Sequence, residues 1–314
     1  MSATTLDVKP AASRRGRDRA VRSESQSRPA WLFLAPFAFF YLAFLIGPAL
    51  YMLVASFFDT SLVKSGLGSF AGLANYAEMM RNPSFWSSMW HTLQFTIYTV
   101  PPLVVLSFVF AVLANRMTRG SWFWRLAFFV PYILPSASVA LIWIFMFSAD
   151  TGLWPTVQKW FGAEAPTPVL GSPTLAMVGI AVTTIWWTLG FNFILYLAGL
   201  QDVPRELYEA AALDGATAWQ QIRHLTIPLL SRTTTLVILL QIIASLKIFD
   251  QVAIMTDGGP GISTEVALTF ISRAGFTDNR IGAAAAASVL LFIVIVAIAV
   301  VRQLIERTQE RRAA

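Results

Sequence analysis

Cysteine is absent from this 314-residue chain, which rules out a disulfide framework and a thiolate metal site and leaves no trace of its redox compartment. Charge is scarce too. Asp, Glu, Lys and Arg make up 13% of the residues, against about a quarter in an ordinary soluble domain. Lysine occurs only at Lys9, Lys64, Lys159 and Lys247, never after glycine. A phosphate-cradling Walker loop, which needs Gly-Lys followed by Ser or Thr, is therefore excluded. Histidine is limited to His91 and His224. Neither has a second metal ligand nearby in sequence, and no catalytic or metal-binding constellation is visible. The net charge of +6 does not point to nucleic acid, because the arginines are split among short segments flanking apolar runs instead of forming one patch.

What abounds is hydrophobic residue, 56% of the chain. It collects in runs at 31–58, 90–114, 122–147, 175–200, 228–255 and 281–301. Crossing about 30 Å of hydrocarbon at about 1.5 Å per residue takes about 20 residues. The pattern predicts an all-α integral membrane protein with six transmembrane helices, multi-pass in the cytoplasmic membrane. Residues 1–30 are polar and Arg-rich and are predicted to be a disordered basic tail. The first run is far longer than the roughly 7 to 15 residues of a cleavable signal core and reads as the first span. Pro101, Pro102, Pro131, Pro135 and Gly190 fall inside spans, where neighbouring helices can re-satisfy freed backbone groups.

Positive charge sets orientation. One set of connections holds the tail, then Arg116, Arg119, Arg125, Arg205, Arg223 and Arg232, and finally Arg302, Arg307, Arg311 and Arg312. The other holds Lys64, Arg81, Lys159, Arg273 and Arg280. Both termini are expected in the cytoplasm. One six-span domain covers 31–304, its largest structured cytoplasmic loop runs over about 201–227, and 305–314 form a cytoplasmic tail.

That loop carries the strongest local signal, Pro204-Arg-Glu-Leu-Tyr-Glu-Ala-Ala-Ala-Leu-Asp-Gly215. Pro204 suits a first helical turn, Glu206 and Glu209 suit the positive end of the dipole, Ala210 to Ala212 are strong formers, and Gly215 offers a stop. A short helix with a small-residue face lets another backbone approach and reads as a docking element. An amphipathic connector lying in the headgroups is the other reading, although anionic lipid attracts Lys and Arg and not acids.

Glu209-Ala-Ala-Ala-Leu-Asp-Gly-Ala216, with Ile-Pro228 downstream, resembles the EAA loop of binding-protein-dependent ABC transporter permeases. The likeness extends from Trp31 onward. Phe249-Asp250, Thr256-Asp-Gly-Gly-Pro260, Thr264 and Ala274-Gly-Phe276 resemble the signature after the fifth span in carbohydrate permeases of the maltose-transporter type. Gly72-Leu-Ala-Asn75-Tyr76, Pro131-Tyr-Ile-Leu-Pro135, Trp143 and Gly152-Leu153 fit as well. Ile222, Arg232, His91-Thr92 and Pro155 depart from the usual pattern. The resemblance implies a type I importer permease fold in which the loop is a coupling helix. Glu209, Ala210, Ala211, Asp214 and Gly215, with Pro228 downstream, would then be the ATPase-coupling residues. It also implies an ATPase dimer that binds the ATP and Mg, so that this chain itself holds no cofactor and hydrolyses nothing. The further partners would be a second homologous permease and an extracytoplasmic solute-binding protein. The solute would be a carbohydrate, or alternatively glycerol-3-phosphate or another polyol-like molecule. Without the resemblance, Asp257-Gly-Gly-Pro260 reads as a structural turn or as an outer gate.

Polar side chains inside spans usually face the bundle interior or a wet cavity. Gln241, Ser245 and Ile248 are predicted to share one face of the fifth span, and Trp187, Thr188 and Phe191 one side of the fourth. Aromatic faces with amides and hydroxyls suit a sugar. Matched through the loop and the Gly-Gly-Pro turn, the family's solute contacts fall on Trp187, Thr188, Phe191, Gln241, Ala244, Ser245 and Ile248. Interhelical glue, worth about 0.6 kcal/mol per contact, is the competing role for each. Lys247 and Asp250 are expected to form a mutually neutralising pair. They are also the sole support for a secondary transporter.

Overall fold

The computed structural model describes residues 27–63, 66–116, 121–162, 164–165 and 167–313. The predicted tail over 1–30 lies outside them except for its last residues, which begin a helix. Backbone in hydrocarbon must satisfy its own hydrogen bonds, and the apolar runs accordingly become helices. Two compact units result, Met1–Tyr51 and Met52–Ala314. In the first, α1 (Ser27–Tyr41) runs through a π-helical turn, Leu42–Ile46, into α2 (Gly47–Ala55). No part of the apolar window within Phe33–Ala55 is buried. Phe37 stacks on Tyr41 and Phe40 on Phe44, the four-residue spacing of neighbours on a helix surface, and acyl chains solvate such a stripe as well as protein does.

The second unit opens on a small antiparallel pair, β1 (Phe58–Asp59) with β2 (Ser69–Phe70), in which Phe58 faces Phe70. Then come α3 (Ala74–Arg81), α4 (Pro83–Arg116), α5 (Ser121–Ile133), α6 (Ser136–Phe147), α7 (Leu153–Trp160) and α8 (Ala176–Gln201). The short α9 (Arg205–Leu213) and α10 (Ala218–Gln221) lead through a π turn, Ile222–Thr226, to α11 (Ile227–Leu229) and α12 (Ser231–Leu246). The chain closes with α13 (Asp250–Met255), α14 (Ala267–Ser272), a π turn, Arg273–Thr277, and α15 (Ile281–Ala313). Helix α15 thus continues through the predicted tail at 305–313.

Among the described residues four helices are long and apolar enough to cross a membrane: Phe33–Ala55, Pro83–Asn115, Ala176–Gln201 and Ile281–Leu304. The third and fifth predicted runs are not single straight spans. Trp122–Ile133 and Ser136–Phe147 meet at 99°, and Ala218–Leu229 and Ser231–Leu246 at 65°. At the first break, Pro135 is extended (φ −58°, ψ 141°); proline removes a donor and disfavours helix at the residue before it. The fifth run breaks again after Leu246, where Lys247 ends α12 and Asp250 starts α13. Pro101 and Pro102, by contrast, stay inside a continuous 34-residue α4.

The core of this unit forms where α4 and α8 pack along their lengths, with Leu103, Ala111, Phe193, Tyr196, Leu197, Leu230 and Val237 buried together. A second cluster joins Phe95, Ala140, Met177, Ile180, Ile248, Val252 and Val266. The third seats α14 and the alanine-rich start of α15 against α3 and α4 through Met79, Phe85, Phe270, Ala283, Ala286 and Ala287, small side chains permitting the close approach. Asn75 fixes the entry to α3 by donating to the Ser56 and Phe58 carbonyls at 2.9 and 3.0 Å.

Gly190 marks the tightest helix crossing. A Cβ there would stand 1.9 Å from the Phe128 carbonyl oxygen, a backbone atom that can yield only if α5 moves. Gly190→Ala is expected to cost at least the roughly 1–3 kcal/mol of ordinary overpacking. The check is a lower melting temperature and a smaller monodisperse fraction on fluorescence-detected gel filtration; wild-type behaviour would show that α5 yields freely.

Candidate functional site

One cavity of about 230 Å³ lies where α4, α8 and the α12–α13 break meet. Phe95, Thr99 and Leu103 line it from α4, and Thr184, Trp187 and Thr188 from α8. Gln241, Ala244, Ser245, Lys247, Ile248, Phe249, Asp250 and Gln251 complete the wall. The structure brings together six residues that the sequence named: Trp187, Thr188, Gln241, Ala244, Ser245 and Ile248. Phe191 is not among the lining residues; its ring stacks on Tyr132 at 5.1 Å and 24°. Ile248 is there for a different reason than predicted. Helix α12 ends at Leu246, so Ile248 is carried in by the break and not by a face shared with Gln241 and Ser245.

The polar wall is tied down. Gln241 Nε2 donates to Asn192 Oδ1 at 2.8 Å, both side chains being buried. Ser245 Oγ donates to the Ile242 carbonyl at 2.9 Å and meets Thr96 Oγ1 at 2.9 Å. Thr188 and Thr184 bond back to the carbonyls of Thr184 and Ile180 at 2.8 and 2.9 Å. Trp187 Nε1 donates at 3.1 Å to the Leu134 carbonyl at the proline break of the third run, so only the indole faces remain available to a ligand. The expected Lys247–Asp250 pair does not form. The helix that would have set them three apart on one face is interrupted, and Asp250 Oδ2 instead accepts from Ser136 Oγ at 2.6 Å.

The sequence reading missed the α4 contribution. Its signal was present: Thr92, Thr96 and Thr99 recur at helical spacing and are all buried, a polar stripe that turns inward and bonds to its own helix carbonyls.

Away from the cavity, α9 has no buried residue. Its end is built by Gly215 at φ +79°, with the Gly215 N–H on the Ala212 carbonyl at 3.1 Å and the Ala216 N–H on the Ala211 carbonyl at 2.9 Å. This is a Schellman ending, which needs the left-handed conformation that glycine adopts without penalty. Thr217 then caps α10 reciprocally with Gln220, which points the chain back. Glu209, Ala210, Asp214 and Gly215 are exposed and Ala211 half-buried. Pro228 is also exposed, on the α11 segment just before the 65° bend. The anchor is Tyr208, whose hydroxyl lies 3.1 Å from Thr226 Oγ1 beside a second cavity of about 330 Å³ lined also by Val112, Asn115, Leu200, Ala218 and Gln221.

The Asp257–Pro260 turn is stitched by Thr264, which donates to the Gly259 carbonyl at 2.7 Å and meets Thr256 Oγ1 at 2.8 Å. Arg273 pairs with the buried Glu265 carboxylate at 2.7 Å and donates to the Asp257 carbonyl at 3.1 Å. Burial pushes the Glu265 carboxyl up, and the neighbouring Arg273 charge, then His91, only partly offset this. Arg280 pairs with Glu78. Among the described residues no group of three or more His, Cys, Asp or Glu is placed to hold a metal ion.

The described residues thus combine helices apolar enough to cross a membrane with a partly polar cavity and a separate exposed helix. Residues 107–311 match the sequence profile of the binding-protein-dependent transport system inner membrane component family. The chain is 31% identical over 303 residues to the sulfoquinovosyl glycerol transport system permease protein SmoG of Agrobacterium fabrum, covering 92% of this chain and 98% of that one. It is 31% identical over 233 residues to the trehalose/maltose transport system permease protein MalF of Thermococcus litoralis, covering 74% and 78%. Its fold is similar to that of a chain in the crystal structure of a bacterial ABC transporter involved in import of the acidic polysaccharide alginate, with a TM-score of 0.77, 21% identity, and 90% and 96% of the two chains covered. The chain belongs to the family of inner membrane components of binding-protein-dependent transport systems. It is an ABC importer permease of the inner membrane, a transport component and not a catalyst.

Proposed function

We propose that this chain forms one side of a carbohydrate path and receives mechanical work through α9 from a separate ATPase. The carrying observation is the cavity wall, in which an indole face, threonine hydroxyls and a glutamine amide held by Asn192 sit together. A sugar offers apolar ring faces and many hydroxyls, and such a wall matches both. The permeases SmoG and MalF, named for a sulfoquinovosyl glycerol and for trehalose and maltose, support the same solute class. At about 230 Å³ the cavity is smaller than the roughly 300–1,000 Å³ of a complete small-molecule site. A second homologous permease across the path would complete it. Phe191 stacks on Tyr132, whose ring lies against Trp187 of the wall.

In this reading the two bent pairs are the third and fifth spans, giving six spans with both termini cytoplasmic. The arginine distribution supports that orientation. It sets α9 on the cytoplasmic side, where an exposed acidic helix with alanines on its surface suits a groove in an ATPase dimer. That dimer would bind the ATP and Mg, since no lysine of this chain follows a glycine. A solute-binding protein would deliver the sugar from the opposite side.

The test is reconstitution in proteoliposomes with the partner permease, the ATPase and the binding protein. Uptake of a radiolabelled sugar is expected to require all four components and ATP. Uphill uptake by this chain alone, or labelling of Glu209→Cys from outside intact cells, would refute the reading.

A further inference from the structure

We infer that Lys247 is a recognition point for an acid group carried by the solute, so that the path is built for a carboxylated, sulfonated or phosphorylated sugar. This rests on the reading of the cavity as the sugar path. Lys247 and Asp250 are the only ionisable side chains on its wall. Asp250 already accepts a short hydrogen bond from Ser136. The Lys247 ammonium has neither an ion-pair nor a hydrogen-bond partner among the described residues. Lys247 stands exposed just past the end of α12 and lines the cavity, and an ionisable side chain in a membrane subunit is kept where it faces a pathway or a ligand.

The other donors on the wall sharpen the point. The N–H of Trp187 and the hydroxyls of Thr99, Thr184, Thr188 and Ser245 are all spent on protein carbonyls. What remains free to donate to a solute is the second amide N–H of Gln241, the amide of Gln251 and one ammonium, and the ammonium is the one charged donor the wall offers to an anionic oxygen cluster. Position alone does not explain the lysine. A cation is favourable at the end of α12 because of the helix dipole, but that role is served equally by a side chain directed away from the cavity.

The experiment uses the assembled complex without its binding protein, in nanodiscs of phosphatidylcholine so that no anionic headgroup competes. Equilibrium binding is measured for a radiolabelled glucose disaccharide, its glucuronate counterpart, its glucosamine counterpart, and inorganic phosphate. The glucuronate probe is expected to bind about tenfold or more tighter than the neutral one, the size of a charged hydrogen bond. Lys247→Met is expected to bring that ratio close to one, and Lys247→Arg to restore most of it, which separates recognition from folding. Phosphate is expected to bind far more weakly than the glucuronate probe. A wild-type ratio near one, a ratio unchanged in Lys247→Met, or phosphate binding as tightly as the acidic sugar overturns the inference and leaves the sugar path intact. Preference for the glucosamine probe would assign charge recognition to Asp250 and also overturn it. If no saccharide binds, the sugar-path reading falls and the inference with it.

Discussion

Charge reversal at Glu209 (Glu209→Lys) is expected to lower solute-stimulated ATP hydrolysis by the assembled transporter roughly 30-fold or more, the effect of about 2 kcal/mol or more for a broken interfacial charge contact. Nothing in the fold of this chain should change. Glu209 is exposed, no residue of α9 is buried, and the helix ending is made by Gly215 and its neighbours. Capture of solute by the binding protein should likewise be untouched, because that step belongs to a separate protein which the substitution does not alter. The measurement is ATPase activity in nanodiscs with and without loaded binding protein, alongside a pull-down of the ATPase. Normal stimulation would remove α9 from the coupling role; lost stimulation with full ATPase retention would place the defect in transmission and not in assembly.

Removal of the Trp187 side chain should have the next largest effect, because that residue does two jobs. Its N–H satisfies the Leu134 carbonyl at the proline break, and its ring walls the cavity. Trp187→Phe keeps a wall but orphans the carbonyl, at about 1–3 kcal/mol. Trp187→Ala also loses packing, toward the roughly 3–5 kcal/mol seen for large aromatics. Both variants should melt earlier. Corrected for folded complex, uptake is expected to stay near wild type in Trp187→Phe and to fall about tenfold in Trp187→Ala, the equivalent of about 1.4 kcal/mol in the transport barrier. Equal loss of corrected uptake in both would reduce Trp187 to a strut.

Much of this was legible before any coordinates. The apolar runs announced helices because length and the absence of charge leave hydrocarbon as the only solvent that suits them. The α9 segment announced itself through local chemistry, and Gly215 stops the helix where its type said it would. The two breaks were written in the sequence only in part. Pro135 was visible, yet Pro101 and Pro102 are the same signal and leave α4 continuous. Whether a proline bends a helix depends on what neighbours supply to the freed groups. At Leu134 the supplier is Trp187, from a helix 53 residues downstream.

By itself, then, the sequence determined the class of molecule, the helices and the short α9 segment with its glycine stop, all of which follow from composition and from interactions within a few residues. Only the tertiary structure decided which polar side chains share a cavity. It sent Phe191 to Tyr132, drew Ile248 in through a break, separated Lys247 from Asp250 by giving Asp250 to Ser136, and added Thr99 of the α4 threonine stripe. The reason is physical: a periodic pattern says which residues lie on one face of one helix, whereas partnership across helices depends on where each helix stops and on which distant group reaches the orphaned atom first.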